Sequence, residues 1–248
     1  MTVLVEACVD AIDGATEAER GGAGRVELCG ELLQGGVTPS AGLIAVVRER
    51  LSIPVFALIR PRPGDFLYSG AEREIMLRDI AIAKSLGAHG VVIGALTAHG
   101  DVDVELVRAL VDAARPMAVT FHRAFDFARD QSAAMDALLA TGVDRVLTSG
   151  GGATALDGAD GLAALVKRAG SAMTILAGGS ISSANVADVV RLSGVTEVHT
   201  RAAARIPSEM RYRQARVSLA RAPMPDDYDR TITRSEEVAA IVRSVSNT

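Results

Sequence analysis

Eight apolar, β-branched runs punctuate the chain, beginning near Leu4, Val26, Val55, Val91, Met117, Arg145, Met173 and Thr196, and the intervals of 22 to 36 residues between them leave few folds open. Each interval is the length of a strand, a helix and two short loops. Eight such units predict a parallel (β/α)8 barrel, a TIM-type α/β fold. A concealed repeat supports the count. Gly22-Ala23-Gly24-Arg25-Val26, Gly87-Ala88-His89-Gly90-Val91, Gly142-Val143-Asp144-Arg145-Val146 and Gly194-Val195-Thr196-Glu197-Val198 share one form. The leading Gly takes the left-handed position that ends a helix, and the Val opens a strand. The form precedes every second strand, whereas Pro54 and Pro116 open two of the others. Between runs the period turns helical: Ala71 to Leu86 aligns Ile75, Met76, Ile80, Ala83 and Leu86 on one stripe. The chain reads as one barrel domain over 1–248, with an irregular insertion at about 205–234 carrying Pro207, Pro223 and Pro225 before a last helix.

Composition then narrows function. Apolar residues make up 49% and charged residues 23% of the chain, enough for a large core and unlike a disordered polymer. With 26 basic against 30 acidic residues the net charge is −4, so neither nucleic acid nor an anionic membrane is the expected partner. No apolar run reaches the roughly 18 residues of a spanning helix. The start, Met1-Thr2-Val3-Leu4-Val5-Glu6, lacks a basic leader region, and a soluble cytoplasmic protein is expected. The two cysteines, Cys8 and Cys29, are too few for a disulfide scaffold and read as reduced thiols.

Strand side chains alternate, and barrel chemistry gathers where strands end. In the first strand Leu4, Glu6 and Cys8 share a face; in the second, Glu27 and Cys29 do. Two consecutive strands thus end in Glu-x-Cys, with the acids and thiols facing the lumen. Aligning Pro54 with Pro116 makes Arg60 equivalent to His122. Aligning the Gly repeats sets His199 level with Glu27, and Ser149 and Arg201 level with Cys29. The expected mouth is a polar layer of Glu6, Cys8, Glu27, Cys29, Arg60, His122, Ser149, His199 and Arg201. His89 and His99 fall in turns and read as exposed.

That layer allows two chemistries. Two thiolates on adjacent strands suit Cu(I), a soft ion satisfied by few ligands, whereas the tight Cys clip of a structural zinc site is absent. From spacing alone, two small hydrophobic cysteines packed in the barrel are the better account. Alternatively, Gly178-Gly179-Ser180 after the seventh strand, ringed by Arg60, Arg62, Arg123 and Arg201, resembles a seat for a phosphorylated or carboxylated molecule. Ser149 and His199 would then help bind it, while His122, Glu27 and Glu6 would serve as acid and base. No Walker loop, dinucleotide fingerprint, zincin motif or nucleophile elbow is present, and no nucleotide cofactor is expected.

Several longer strings carry a family likeness: Val5-Glu6-Ala7-Cys8-Val9-Asp10, Arg25-Val26-Glu27-Leu28-Cys29, Gly35-Gly36-Val37-Thr38-Pro39-Ser40, Ile59-Arg60-Pro61-Arg62, Phe121-His122-Arg123-Ala124-Phe125-Asp126 and Arg145-Val146-Leu147-Thr148-Ser149-Gly150. Through them the chain resembles the CutC copper homeostasis family over about residues 2–215. The resemblance implies a cytoplasmic (β/α)8 barrel, a homodimer or homotetramer, with a role in copper handling and candidate Cu(I) ligands matching Cys8 and Cys29. Two stretches depart from the family's usual pattern. Gly178-Gly179-Ser180 stands where three glycines are usual, and His199-Thr200-Arg201-Ala202 where a serine is usual in place of Arg201.

Overall fold

The computed structural model describes residues 3–214, 216–218 and 227–246. Strands β1 (Leu4–Val9), β2 (Arg25–Leu28), β3 (Val55–Leu58), β4 (Gly90–Ile93), β5 (Ala118–Phe121), β6 (Arg145–Thr148), β7 (Thr174–Gly178) and β8 (Glu197–Thr200) pair in sequence order, and β8 returns to β1, closing a parallel barrel. Each expected strand start lies within one residue of an observed one. Helices α1 (Ile12–Arg20), α2 (Ala41–Arg50), α3 (Gly70–Ser85), α4 (Val104–Ala114), α5 (Gln131–Leu139), α6 (Ala159–Ala169) and α7 (Val186–Ser193) connect the strands, and α8 (Ser235–Ser246) follows. The repeat glycines Gly22, Gly87, Gly142 and Gly194 all have positive φ, at 88°, 77°, 80° and 71°.

Alternation divides the core into two compartments. Outward strand residues such as Val5, Ala7, Val26, Leu28, Val91 and Ile93 pack with Ile80, Leu110 and Leu138 of the helices in one buried cluster. Each buried Val, Leu or Ile side chain contributes about 1.5–3 kcal/mol of transfer free energy. A smaller cluster, Cys8, Cys29, Phe56, Leu58 and Val92, fills the lumen.

Helix α3 shows how local chemistry sets the frame. Ser69 accepts from the Glu72 amide and Glu72 reaches back to the Ser69 amide, a reciprocal cap that fixes the helix start. Met76, Ile80 and Ala83 are buried, but Ile75 is 46% exposed. The expected stripe was thus one residue too wide: Ile75 lies about 100° around the helix from Met76 and turns to solvent.

The segment expected to be irregular over 205–234 is ordered at both ends. Strands β9 (Ala203–Pro207) and β10 (Asp229–Thr233) form an antiparallel hairpin against α1 and the end of β1. The Thr233 hydroxyl donates to the Arg201 carbonyl at 3.0 Å, with the Cys8 carbonyl 3.4 Å away. Pro223 and Pro225 lie outside the described residues. Among the described residues no helix is long and apolar enough to cross a membrane.

Candidate functional site

The parallel register places Cys8 opposite Glu27, and the ladder continues one residue past β2, where the Cys29 amide donates to the Val9 carbonyl at 2.8 Å. Inward parity therefore puts Glu6, Cys8, Glu27 and Cys29 on one patch of the lumen, all buried. The two sulfurs are 3.7 Å apart. From β8, across the closing seam, His199 brings Nδ1 to 2.8 Å from Glu6 and Nε2 to 3.7 Å from Glu27. One ligating atom each of Cys8, Glu27 and His199 lies within 4.8 Å of the others.

Burial and neighbouring charge set the protonation of this cluster. The hydrogen bond with Cys29, together with burial, drives Cys8 well above the usual thiol range. Burial and the Glu27 charge push Cys29 up to about 12. Burial likewise raises Glu27, with Glu6 adding to it against His199. Burial would also raise Glu6, but the Arg25 charge and His199 prevail and lower it to about 2. His199 is disfavoured as a cation by burial, yet Cys8, Glu6 and Glu27 raise it well above the normal imidazole range. Without a metal the site holds two neutral thiols beside an imidazolium.

Beneath the thiols runs an ion-pair chain. Arg25 pairs with Glu6 and, at 2.6 Å, with Glu197; Arg145 pairs with Glu197 at 2.6 Å. Both guanidinium groups stack on Phe56, at 4.9 and 5.5 Å. The parity rule could have revealed Arg25, Arg145 and Glu197, since each lies an even number of residues before an expected mouth residue. They sit one layer below the strand ends, where barrel chemistry is expected.

Arg60, just past β3 beside β2, and His122, just past β5, also reach the mouth, each 6% exposed. His122 fits only because β4 is followed by Gly94: a Cβ there would sit 2.2 Å from the imidazole ring. Its Nδ1 accepts from the Ala124 amide at 3.1 Å, and burial with the Arg60 charge lowers it to about 3. It is thus a neutral imidazole with its proton on Nε2. Cys8, Glu27, Cys29, Arg60, His122 and His199 all line one cavity of about 140 Å³, to which Arg123 contributes an edge.

Other expected members are not gathered there. Strand β3 ends at Leu58, and Arg62 turns to Glu72 (2.6 Å) and Asp65 (2.9 Å), stacking on Tyr68. Strand β8 ends at Thr200 and Ala202 takes φ 43°, so alternation fails and Arg201 lines a separate cavity of about 380 Å³ with Asp10, Glu31 and Asp229. Ser149 is spent on loop structure: its hydroxyl donates to the Gly152 carbonyl at 2.7 Å and accepts from Arg123 at 3.2 Å. Close packing accounts for the glycine pair. A Cβ on Gly178 would meet Leu147 at 2.5 Å, and one on Gly179 would meet Ser149 at 3.2 Å. His89 and His99 are exposed, as expected.

Fold and site define a (β/α)8 barrel with a thiol, imidazole and carboxylate cluster at its carboxyl mouth. Residues 3–204 match the CutC family, and the chain belongs to that family. The mouse copper homeostasis protein cutC homolog is 44% identical over 238 residues, covering 96% of this chain and 88% of the relative. The family protein CutC of Chromobacterium violaceum is 44% identical over 241 residues, 97% of each chain. A Streptococcus agalactiae structure described as a copper homeostasis protein CutC superposes with a TM-score of 0.77 at 32% identity, covering 80% of this chain and 98% of that one. Phosphoribosylanthranilate isomerase of Thermotoga maritima, with a TM-score of 0.59, 11% identity and 99% and 100% coverage, shares the fold alone.

Proposed function

We propose that the protein handles copper in the cytoplasm by binding Cu(I) between the thiolates of Cys8 and Cys29. The observation that carries this reading is the 3.7 Å separation of two buried sulfurs with His199 and Glu27 alongside. Soft thiolates favour Cu(I) over harder ions. The separation is less than twice a metal–thiolate bond of about 2.3 Å, so an ion joining both sulfurs makes a bent pair and leaves a third position towards His199. Uptake releases the thiol protons, and the imidazolium offsets the negative charge of the dithiolate complex. The copper homeostasis names of the relatives point the same way. The resemblance also supports a homodimer or homotetramer, which sedimentation velocity checks.

The test is an anaerobic Cu(I) titration against a competing chelator, with wild type and the Cys8→Ser/Cys29→Ser double variant. Wild type is expected to bind one equivalent. The double variant should lose more than the roughly 10–100-fold that outer metal partners cost. Equal affinity in the two proteins overturns the reading. A second reading, a barrel enzyme for a small anionic substrate, is favoured by the raised Glu27 carboxyl and the Arg60 guanidinium lining one cavity. It is the one left standing if copper uptake proves independent of both cysteines.

A further inference from the structure

The cavity that holds the thiols carries a feature that copper ligation leaves unused. Arg60 is buried, yet its guanidinium donates only to main-chain carbonyls: NH1 to Gly36 at 2.8 Å and Gln34 at 3.4 Å, NH2 to Gly64 at 2.7 Å. It makes no ion pair among the described residues, and its Nε–H has no acceptor. Close by, the Ala124 amide occupies His122 Nδ1, which places the ring proton on Nε2, and that donor also has no partner. Tyr68 Oη, the third such atom among the described residues, does not line the cavity but lies close to the Arg60 side chain. Leaving a buried donor unmade costs about 1–3 kcal/mol, and more when it is charged. Two residues lining one cavity, each keeping such a donor and one of them cationic, describe the complement of an anion.

We propose that this end of the mouth cavity is a subsite for a small monocarboxylate, one oxygen accepting from Arg60 Nε and the other from His122 Nε2. Charge favours the monoanion: Arg123 and His199 also line the cavity but are paired with Asp126 and Glu6, so Arg60 is the cation left without an acid among the described residues, while His122 is neutral and Glu27 in the same lining opposes a dianion. Donor count agrees, because a phosphoryl group would bury a further oxygen against Leu58, Leu147 and Phe66. The cavity, about 140 Å³, admits a molecule of only a few heavy atoms beyond the carboxylate. Phe66 fixes the geometry, packing 5.1 Å from the guanidinium carbon and 5.0 Å from the imidazole ring. The subsite needs no metal, so its test uses metal-free, reduced protein and fails or succeeds apart from the copper reading.

The experiment titrates the full chain with acetate, mercaptoacetate or inorganic phosphate, following the His122 Nε2–H signal by nitrogen-15 NMR and binding by calorimetry. Both carboxylates are expected to shift that signal saturably. Arg60→Gln and His122→Phe should each weaken acetate binding about tenfold or more, the worth of a charge-assisted hydrogen bond. His122→Gln, which restores an N–H donor, should recover most of it. If Arg60→Gln fails to fold, the wild-type signal and the two His122 variants decide. Carboxylates that leave the signal unmoved, phosphate binding as tightly as acetate, or undiminished acetate binding in the variants each overturn the proposal.

Discussion

An acid on the floor of a barrel persists only where a fixed cation answers it. Glu6, 1% exposed, stays ionised because Arg25 and His199 hold it from two sides. Removing one partner leaves the other charge buried and unanswered, so Arg25→Met should destabilise the fold by about 3–5 kcal/mol, read as a fall in the urea midpoint. His122 makes the opposite kind of residue-scale statement, through pH. Its folded value is near 3 against an ordinary 6.5. Below pH 6.5 the unfolded chain takes up a proton that the folded chain refuses until near pH 3, so stability falls as pH drops through that window. Between pH 7 and 5 this group accounts for a loss of about 2 kcal/mol. Urea unfolding at both values should show that loss in wild type and a correspondingly flatter dependence in His122→Gln.

Elements fix which side chains can meet. Strand β4 and the turn after it present Gly90 and Gly94 inward, and each gives its space to a neighbour. A Cβ at Gly90 would come within 2.6 Å of the Phe56 ring, and at Gly94 within 2.2 Å of His122. Gly94→Ala should therefore displace His122 from its donor position and cost about 1–3 kcal/mol of overpacking. Calorimetric unfolding together with the His122 Nε2–H signal checks both effects. The same scale explains what the sequence could reveal. Strand starts, the Glu-x-Cys pairs, Arg60, His122 and His199 were legible because alternation holds along a strand and for a residue or two past its end. Arg62 and Arg201 were misplaced where that order stops, one drawn to Glu72 and the other turned by a left-handed neighbour. That Arg60 Nε and His122 Nε2 are left without acceptors has no sequence signature, since it depends on which carbonyls and amides the loops bring near.

At the scale of the whole molecule the site sits on the seam that closes the barrel. Cys8 belongs to β1, Cys29 follows β2 and His199 lies on β8, so an ion shared among them ties the first two strands to the last. Such a tie spans nearly the entire chain, and it is broken only when β1 and β8 part, an opening that dismantles the closed sheet. Metal binding should consequently stabilise the molecule against global unfolding. At a free Cu(I) concentration of about 100 times Kd the gain is about 2.7 kcal/mol, which for a chain of this size raises Tm by about 5–10 °C. Differential scanning calorimetry under anaerobic, chelator-buffered Cu(I) should show that rise in wild type and none in Cys8→Ser/Cys29→Ser. Amide exchange adds a spatial readout: protection should increase throughout β1, β2 and β8 together. A gain confined to the β9–β10 hairpin would instead locate the metal outside the lumen, beside Asp10 and Asp229, and remove the seam from the account.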